Sequence, residues 1–597
     1  MNSKSTWIWL GLAASLFAVI VMVEKFGPKP PPAMVALLPD FQAGLVTSVQ
    51  LGLSDQPSEI QAVRTNGSWL LTKPITYPAQ VASIEALLMV LQQLAPAMVI
   101  PGSEVRQRKD ADQAFGFAKP QAALTLKTRD RVIPILIGAR TAPGDQVYVH
   151  IAGLEGVYLV DATLLKLLPR SVDDWRDTAF ADLQRMLFDR INVSNAVASF
   201  EVQRDPSNLL WRVTRPMSAR ADSQRINLGL QKLNATRVAK FVTDDPKADL
   251  ESFGLNTPAL ELTLSRDTNV VAAYQFGHSP TNDSTQVFAR RVGFNTIVTV
   301  PGDFLEVWRG PLNQFRDPRV VSFIQPVDQI EFANSESFTV QRKSSNAWQI
   351  AGSPLPVDAG LVDGVITTLG NLTIEQFKDS ITQSDLPRYG LADPSRKVTV
   401  SAVVTNNGGT TNLILATLSF GTTNGEHFVR RADENPVYAV PAGEIQRIPS
   451  HPWQLRDRRI WSFSENDVVR VFLQQGDQKV EFRRVGTNSW MLAPGSQGII
   501  NEGGVEETVH RLGELAATAW VGKGEGLRER FGFTTNGVSL TIELKNRVKH
   551  TVEFGGFSAD QYPYAVVTLD NEPWFFEFPL ALHQYLLVYL NPQARRP

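Results

Sequence analysis

The sequence predicts an α+β fold in which an N-terminal transmembrane helix precedes four tandem copies of an antiparallel-sheet domain, each with one main amphipathic helix. Three observations predict it: one long apolar run near the N-terminus, three short landmarks that recur four times in one order, and apolar residues at helical or alternating spacing within each copy. The predicted boundaries are 1–6 for a cytoplasmic N-terminus, 7–23 for the membrane helix, 24–40 for a proline-rich spacer, and 41–178, 179–323, 324–463 and 464–597 for the four repeats.

Length and composition limit the classes of protein that are possible. The chain has 597 residues, well beyond the roughly 250–300 at which single cores stop growing. Its 43% hydrophobic and 20% charged residues are typical of globular domains. A net charge of −2 provides no positive field for a phosphate backbone, so no nucleic-acid partner is expected. The absence of cysteine excludes disulfides, thiolate metal sites and cysteine nucleophiles.

The apolar run at 7–23 contains no charged residue. At about 1.5 Å per residue it spans roughly 26 Å, close to the thickness of a bilayer core. The run has two interpretations, a retained anchor and a cleaved signal peptide. It ends in Val23-Glu24-Lys25 without a small-residue cleavage site, which favours the anchor. The charges beside it favour an N-terminus inside and the long C-terminal part outside. The prolines at 28 and 30–32 predict an extended spacer.

The first landmark is a tryptophan on a strand, and successive copies lie 142, 137 and 142 residues apart. The second is an aromatic-glycine pair, followed four residues after the glycine by proline in all but the last copy. The third is a glycine at the end of a strand. The landmarks are Trp69, Trp211, Trp348 and Trp490; Phe115-Gly116, Phe253-Gly254, Tyr389-Gly390 and Phe531-Gly532; and Gly138, Gly277, Gly421 and Gly555.

These landmarks have a structural interpretation, which we favour over a ligand-binding one. Glycine after the aromatic residue permits the positive φ that ends a helical turn, and the proline prevents the turn from continuing. We expect the aromatic ring to fill the layer between the helix and the sheet. The helix itself is indicated by apolar residues three and four positions apart. Its predicted buried positions are Ile84, Leu87, Leu88, Leu91 and Leu94; Ile226, Leu230 and Leu233; Leu361, Val365, Leu369 and Leu372; and Val505, Val509, Leu512 and Leu515.

An arginine-aspartate pair follows each of the first three repeats. The pairs are Arg176-Asp177, Arg316-Asp317 and Arg456-Asp457. Such pairs occur in catalytic and anion-binding sites, because guanidinium groups bind carboxylates and phosphates in a bidentate way. The motif precedes another domain in every case and is missing after the fourth repeat. We therefore favour an inter-repeat joint, in which aspartate caps the entering segment and arginine reaches the neighbouring domain.

No motif for catalysis, a cofactor or a metal is present, so the sequence predicts no such residues. The seven histidines form no HExxH pair and recur at no common position, and there is no Walker A loop, GxGxxG or GxSxG motif. The sequence leaves open a pair of carboxylates for glycoside cleavage. We expect a chain that is not an enzyme.

The order of anchor, spacer, tryptophan strand, helix, FG[LF]xxP turn and glycine-ended strand resembles proteins built from the domain-of-unknown-function family numbered 4340. The resemblance covers about residues 40–595. It implies a bacterial inner-membrane protein with its bulk in the periplasm, acting beside ABC transporters of the gliding-motility type. The family offers no catalytic residues to carry over.

Three hypotheses for function follow. The first is a membrane-anchored binding or scaffold module with protein partners, possible ABC transporter subunits among them. Its support is repetition without chemistry, since tandem weak sites gain affinity through effective concentration. The second is an envelope enzyme that acts on glycan or peptide with a site in one diverged repeat. The third is a mechanical spacer with extensive interfaces between repeats.

Overall fold

The structure is a computed structural model that describes residues 15, 17, 36–323, 325–333, 336–406 and 409–590. The predicted anchor at 7–23 lies outside these residues except for Ser15 and Phe17, which are helical. Most of the predicted spacer, and the first six residues, also lie outside them. Within the described part of the chain, no helix is long and apolar enough to cross a membrane.

Each of the four predicted repeat ranges contains one antiparallel sheet. In repeat 1 the strands are β1 Ser48–Leu53, β2 Ile60–Thr65, β3 Ser68–Lys73, β4 Tyr77–Pro78, β5 Met98–Ile100, β6 Ala122–Lys127, β7 Val132–Arg140, β8 Gln146–Ile151 and β9 Val157–Asp161. They lie in the order β4-β3-β2-β1-β6-β7-β8-β9-β5. The first strand therefore lies near the middle of the sheet, and the chain crosses the sheet twice to complete it.

The other repeats have the same strand order, and repeats 3 and 4 omit the two-residue fourth strand. Repeat 2 has β10 Arg190–Asn195, β11 Ser199–Arg204, β12 Trp211–Arg215, β13 Ala219–Arg220, β14 Lys240–Thr243, β15 Leu260–Arg266, β16 Asn269–Phe276, β17 Gln286–Arg291 and β18 Ile297–Pro301. Repeat 3 has β19 Gln329–Ala333, β20 Phe338–Ser344, β21 Ala347–Ile350, β22 Gln376–Lys378, β23 Arg396–Asn406, β24 Gly409–Thr423, β25 Glu426–Arg431 and β26 Val437–Val440. Repeat 4 has β27 Val468–Gln475, β28 Gln478–Gly486, β29 Ser489–Leu492, β30 Ala519–Lys523, β31 Val538–Leu544, β32 Lys549–Phe557, β33 Pro563–Leu569 and β34 Glu572–Glu577.

One main helix per repeat makes the first crossing, from one edge of the sheet to the other. These helices are α1 Val81–Gln93, α2 Ser223–Ala235, α3 Ala359–Asn371 and α4 Glu502–Gly513. In α2, α3 and α4 the residue before the helix is an N-cap, because its side chain accepts the backbone N–H of the residue three positions later. Asp222 accepts from Arg225, Asp358 from Leu361, and Asn501 from Gly504. The repeats are therefore α+β units with one sheet and one principal helix.

The helices bury the apolar stripe that their spacing predicts, with one exception. Ile84, Leu87, Leu88 and Leu91 of α1 are buried against the sheet of repeat 1. In α3 the prediction for Leu361 is wrong, because Val362 is buried and Leu361 is only half-buried. The N-cap at Asp358 sets the rotation of the helix, and that rotation turns position 362 toward the core together with Val365 and Leu369.

Short helical segments connect the strands. They are Ala43–Leu45, Gly102–Gln107, Ala111–Ala114, Ala162–Leu167, Val172–Trp175, Leu183–Arg185, Glu251–Phe253, Leu305–Trp308, Leu312–Phe315, Gln383–Tyr389, Ala442–Gln446, Pro452–Leu455, Glu465–Asp467, Glu525–Leu527, Leu580–Tyr585 and Leu586–Leu590.

The second crossing carries the aromatic-glycine turn and corrects one prediction. Phe115 contacts Tyr148, which alternates along β8 with Val147 and Val149 of the main core. Because successive side chains of a strand point to opposite faces, Phe115 lies on the face away from α1. The aromatic residue therefore does not fill the layer between helix and sheet; it covers the outer face. The reason is the topology, since the return from the edge strand to the centre passes over that face.

The equivalent residues of the other repeats lie in the same way. Phe253 contacts Phe288, Tyr389 contacts Phe428, and Phe531 contacts Tyr564. In repeats 3 and 4 these rings belong to small apolar clusters separate from the main core.

The chain divides into two compact units, Met1–Arg316 and Asp317–Pro597, and each contains two of the four sheets. In the first unit the described chain enters repeat 1 with Leu37, whose N–H donates to the carbonyl of Leu94 just after α1 at 2.7 Å.

Candidate functional site

The four landmark tryptophans are buried and each lies beneath an arginine of the neighbouring strand. Trp69, Trp211, Trp348 and Trp490 are 2%, 1%, 6% and 2% exposed. The arginines pair directly with them across the strands, and their guanidinium carbons lie 4.2–4.9 Å from the ring centroids. These arginines are Arg64, Arg204, Arg342 and Arg484. A stacked guanidinium over indole is a cation–π contact that also shields the ring from water.

In repeats 1, 2 and 4 the indole N–H of the landmark tryptophan donates to the residue sixteen positions later, on the main helix. Trp69 donates to Glu85 at 2.7 Å, Trp211 to Asn227 at 3.0 Å, and Trp490 to Glu506 at 2.6 Å. In repeat 3 that position is Gly364, and the indole nitrogen of Trp348 has no hydrogen-bond partner among the described residues. The arginine, tryptophan and helix residue thus tie two strands to the helix, which is a structural role.

The aromatic-glycine turn and the landmark glycine of the following strand contact each other in every repeat. Gly116, Gly254, Gly390 and Gly532 have φ between 64° and 77°, the left-handed region that favours glycine. The aromatic carbonyl before each of them lies against the backbone of Gly138, Gly277, Gly421 or Gly555, where a Cβ atom would overlap it. In repeats 1 and 4 this carbonyl also accepts an N–H at 2.8 Å, from Ala139 and Gly556.

The strands do not end at the landmark glycines, as the sequence predicted. In repeats 1, 3 and 4 the strand continues beyond the landmark glycine, to Arg140, Thr423 and Phe557. In repeat 2 it ends at Phe276, one residue before Gly277. Repeats 1 and 4 have an irregularity in the strand pairing at this point, which frees the N–H group that binds the turn.

The joint between repeats 1 and 2 lies within the first unit and is built around Arg176. This side chain is 4% exposed and donates to both carboxylate oxygens of Asp244, at 3.1 and 2.5 Å. Its guanidinium also stacks on Phe241 at 4.5 Å. The Asp177 carboxylate accepts the N–H of Ala179 at 2.9 Å. Arg176 thus reaches the neighbouring repeat and Asp177 fixes the turn between them.

Backbone pairing continues on both sides of this joint. Arg176 bridges to Ala79 of repeat 1, before α1, and Ala179 bridges to Arg237 of repeat 2, after α2. Phe180 donates to the carbonyl of Thr236 at 3.0 Å. The connection is therefore an extended segment hydrogen-bonded first to one domain and then to the next.

A buried tyrosine adds to the same interface. Tyr77 of repeat 1 is 2% exposed and makes edge contacts with Phe241 and Phe294 of repeat 2, at 5.6 and 5.8 Å between ring centroids. Burial raises the pKa of Tyr77, an effect that nearby Arg291 partly opposes. The phenol is therefore neutral at physiological pH, and the interface carries an aromatic cluster beside its ion pair.

The joint between repeats 3 and 4 lies within the second unit. Arg456 is 8% exposed, donates to Asp570 at 3.0 Å and stacks on Trp574 at 4.2 Å. Trp520 donates to the carbonyl of Arg456 at 3.1 Å. The Asp457 carboxylate accepts the backbone N–H of Arg459, two residues later, at 3.0 Å. Asp177 makes the same contact with Ala179 in the first joint.

The predicted pair after repeat 2 falls on the boundary of the units. Arg316, in the first unit, is 2% exposed, bridges to Ala221 and donates to Asn313 at 3.2 Å. Asp317, in the second, accepts the N–H of Arg319 at 3.0 Å.

The histidines are dispersed over the repeats and make local contacts. His451 contacts Glu336 at 3.0 Å and His510 contacts Glu465 at 3.2 Å. Burial lowers the pKa of His550, which lies against Phe463, and the pKa of His583, which lies against Phe554. Among residues that the structure describes, no three His, Asp or Glu side chains form a group suited to a metal ion.

Sequence reasoning missed the arginines on the tryptophans and the helix residues that bind the indoles. The polar residue sixteen positions after three of the four tryptophans is the signal that could have found the second set. The arginines lie five to seven residues before the tryptophan, so their spacing varies with the hairpin between the two strands.

Fold and contacts define a class: a tandem-repeat protein of antiparallel-sheet domains, in which recurring residues hold strands and helix together and connect the two repeats within each unit. A family model described as "Domain of unknown function (DUF4340)" matches residues 69–209, 211–354 and 348–530. These segments cover more than half of the chain, and they begin at Trp69, Trp211 and Trp348. The chain belongs to this family.

Comparison with curated proteins gave no match. Among solved structures, the DNA polymerase III subunit beta from Pseudomonas aeruginosa aligns at 9% identity and a TM-score of 0.13, over 69% of this chain and 92% of that one. A DNA polymerase sliding clamp from Pseudomonas aeruginosa with ligand gives the same identity and TM-score, over 68% and 94%. A TM-score of 0.13 is too low to carry an argument about fold or function.

Proposed function

We propose that this protein is a membrane-anchored extracytoplasmic scaffold, held at the inner membrane by residues 7–23, whose repeats present binding surfaces to protein partners. The observation that carries the proposal is the buried joint within each unit. Arg176 with Asp244, and Arg456 with Asp570 and Trp574, connect consecutive repeats through charge-assisted hydrogen bonds and aromatic stacking. Such joints suit a protein that must hold its binding surfaces at set distances.

The partner class that we propose is a membrane transporter of the ABC type. The uncharged run at 7–23 would place repeat 1 next to membrane proteins, since only about a dozen residues separate the run from Leu37. At about 3.1 Å per residue, an extended spacer of that length reaches roughly 40 Å. A scaffold tethered this closely meets membrane partners at high effective concentration.

The test is affinity purification of the tagged full-length chain from crosslinked membranes in mild detergent, followed by mass spectrometry. We expect stoichiometric recovery of an ABC permease and its ATPase. The control is the same purification with Phe17→Lys, which puts a charge into the apolar run and should reduce both membrane retention and recovery. Recovery of the wild-type chain in the soluble fraction would contradict the membrane anchor. Recovery of the wild-type chain without transporter subunits would contradict the proposed partner class.

A further inference from the structure

A cleft of about 240 Å³ lies on the outer face of the sheet in repeat 4. Its floor is a row across three adjacent strands, because Gln474 pairs with Ser539 and Ser539 pairs with Glu553. These residues alternate with Leu540 and Val552 of the main core, so they face away from α4. The segment 533–537, which follows the aromatic-glycine turn, forms the wall.

Repeat 4 differs from repeats 1 and 3 at the turn that borders the cleft, whereas repeat 2 has the small residue Ala259 there. Six residues after the aromatic residue, repeats 1 and 3 have Gln121 and Ser395. The Gln121 amide donates to the carbonyl of Gly138 at 2.5 Å, and the Ser395 hydroxyl donates to that of Phe420 at 3.2 Å. The equivalent residue in repeat 4 is Gly537, which lines the cleft. The side chain that covers this part of the sheet in repeats 1 and 3 is thus missing.

The floor also differs in chemistry from the equivalent rows of repeats 1 and 2. The corresponding row in repeat 1 is Gly52, Ala123 and Leu136, which offers no side-chain hydrogen bonds. In repeat 2 the equivalent pair, Glu261 and Gln275, is occupied by a hydrogen bond of 2.7 Å between its members. Repeat 4 therefore combines an open wall with a polar floor.

The cleft is lined mainly by uncharged hydrogen-bonding groups and one aromatic wall. Glu553 is the only ionisable lining group, and Arg528 donates to its carboxylate at 2.6 Å, which offsets its charge. The ring of Phe533 is held in place by Phe575 at 5.4 Å between centroids. The hydrogen-bonding side chains of the lining are Gln474, Thr534, Thr535, Ser539, Thr551 and Glu553.

We propose that this cleft binds one neutral sugar ring of a glycan. Hydroxyl and amide groups can both donate to and accept from the alternating hydroxyls of a saccharide, and Phe533, which lines the cleft, offers an apolar surface for its C–H groups. The ion pair with Arg528 leaves no net charge to attract an ionic ligand. The site gives repeat 4 a ligand of its own, beyond the scaffold role proposed for the whole chain.

The test is saturation-transfer NMR on the full-length chain with glucose, galactose, mannose, N-acetylglucosamine, cellobiose and chitobiose as probes. The chain is kept in a zwitterionic detergent, because sugar detergents would compete. We expect at least one probe to bind with a millimolar dissociation constant. Gly537→Gln, which introduces the side chain found in repeat 1, should weaken that binding about tenfold or more.

The matched control is Ala259→Gln, the same change at the equivalent position of repeat 2, which should leave binding unchanged. Ser539→Ala, which keeps the floor intact but removes one hydroxyl, should weaken binding about fivefold. Because Gly537→Gln could fail to fold, Ser539→Ala tests the same site independently, and the thermal unfolding curve of each protein shows whether it is folded. Absence of binding to all six probes, or equal binding by wild type and Gly537→Gln, would overturn the proposal.

Discussion

At the scale of single residues, the clearest feature is a hydrogen bond that one repeat lacks. Among the residues that the structure describes, the buried indole nitrogen of Trp348 has no partner, whereas the other three landmark tryptophans donate to the helix residue sixteen positions later. The space that a side chain at Gly364 would enter is open, since no atom of the described residues lies within 4 Å of the position that its Cβ would take.

Gly364→Glu should therefore stabilise repeat 3. Removing a helical glycine contributes about 1 kcal/mol, and a new hydrogen bond to a buried donor adds roughly 0.5–1.5 kcal/mol. Gly364→Ala is the control, because it supplies only the first contribution. Chemical denaturation monitored by tryptophan fluorescence measures the difference, and equal stability of the two variants would show that the indole stays unpaired.

Two histidines of repeat 4 should give its stability opposite dependences on pH. Burial lowers the pKa of His583 below its ordinary value of about 6.5, so its contribution is present above that value and is lost as pH falls toward the lowered pKa. The hydrogen bond to Glu465 raises the pKa of His510, so its contribution is present below 6.5 and is lost as pH rises through the raised pKa.

Melting temperatures at pH 7.5 and 5.5 test both signs. His583→Phe should make acidification less destabilising than in the wild type, and His510→Gln should make it more destabilising. A shift of the two variants in the same direction would contradict the assignment.

At the scale of elements, the aromatic-glycine turn and the strand beneath it form one contact. A Cβ atom at Gly421 would overlap the carbonyl of Tyr389, whereas one at Gly443 of the same repeat would meet nothing. We expect Gly421→Ala to cost about 2–4 kcal/mol and to detach the turn, because backbone cannot yield as a flexible side chain can. Gly443→Ala should be neutral or slightly stabilising.

Hydrogen–deuterium exchange is the direct measurement of this effect. Amides at 389–393 should exchange faster in Gly421→Ala, and those of α3 should change less. Equal protection of the turn in both alanine variants would mean that its carbonyl is held by other contacts.

The sequence predicted the elements better than the faces they cover. Repetition and spacing found the tryptophan strands and the buried residues of α1, because both depend on local periodicity. They placed Phe115 in the wrong layer, because the face of a crossing depends on strand order, and strand order depends on pairing between distant segments. The cleft beside Gly537 was missed for a related reason: it is created by a side chain that is absent, and only the neighbouring repeats show what belongs there.

At the scale of the whole molecule, the joints decide how domains are connected within each unit. Arg176→Ala should remove the bidentate contact with Asp244 and the stack on Phe241 without unfolding either domain. Amide exchange at 177–180 and 237–243 should then rise about tenfold, corresponding to roughly 1.4 kcal/mol of lost contact energy. The pair of Arg185 and Asp182 is exposed, so Arg185→Ala should leave these rates unchanged. Unchanged exchange in Arg176→Ala would show that backbone pairing alone holds the joint.

The hydrogen bond from Leu37 to Leu94 has a consequence for how such an array can evolve. Phe180, Val320 and Ile460, each four residues after a joint arginine, donate to the carbonyl of Thr236, Leu372 or Leu515 at the end of the next helix. Leu37 does the same for α1, where it donates to the carbonyl of Leu94. The segment at Leu37 thus occupies, beside the end of α1, the position that the segment after a joint arginine occupies beside the main helix of each other repeat. The array therefore has a direction, and a copy inserted at a joint has to accept a leading segment beside its own helix and supply one to the helix of the repeat that follows it.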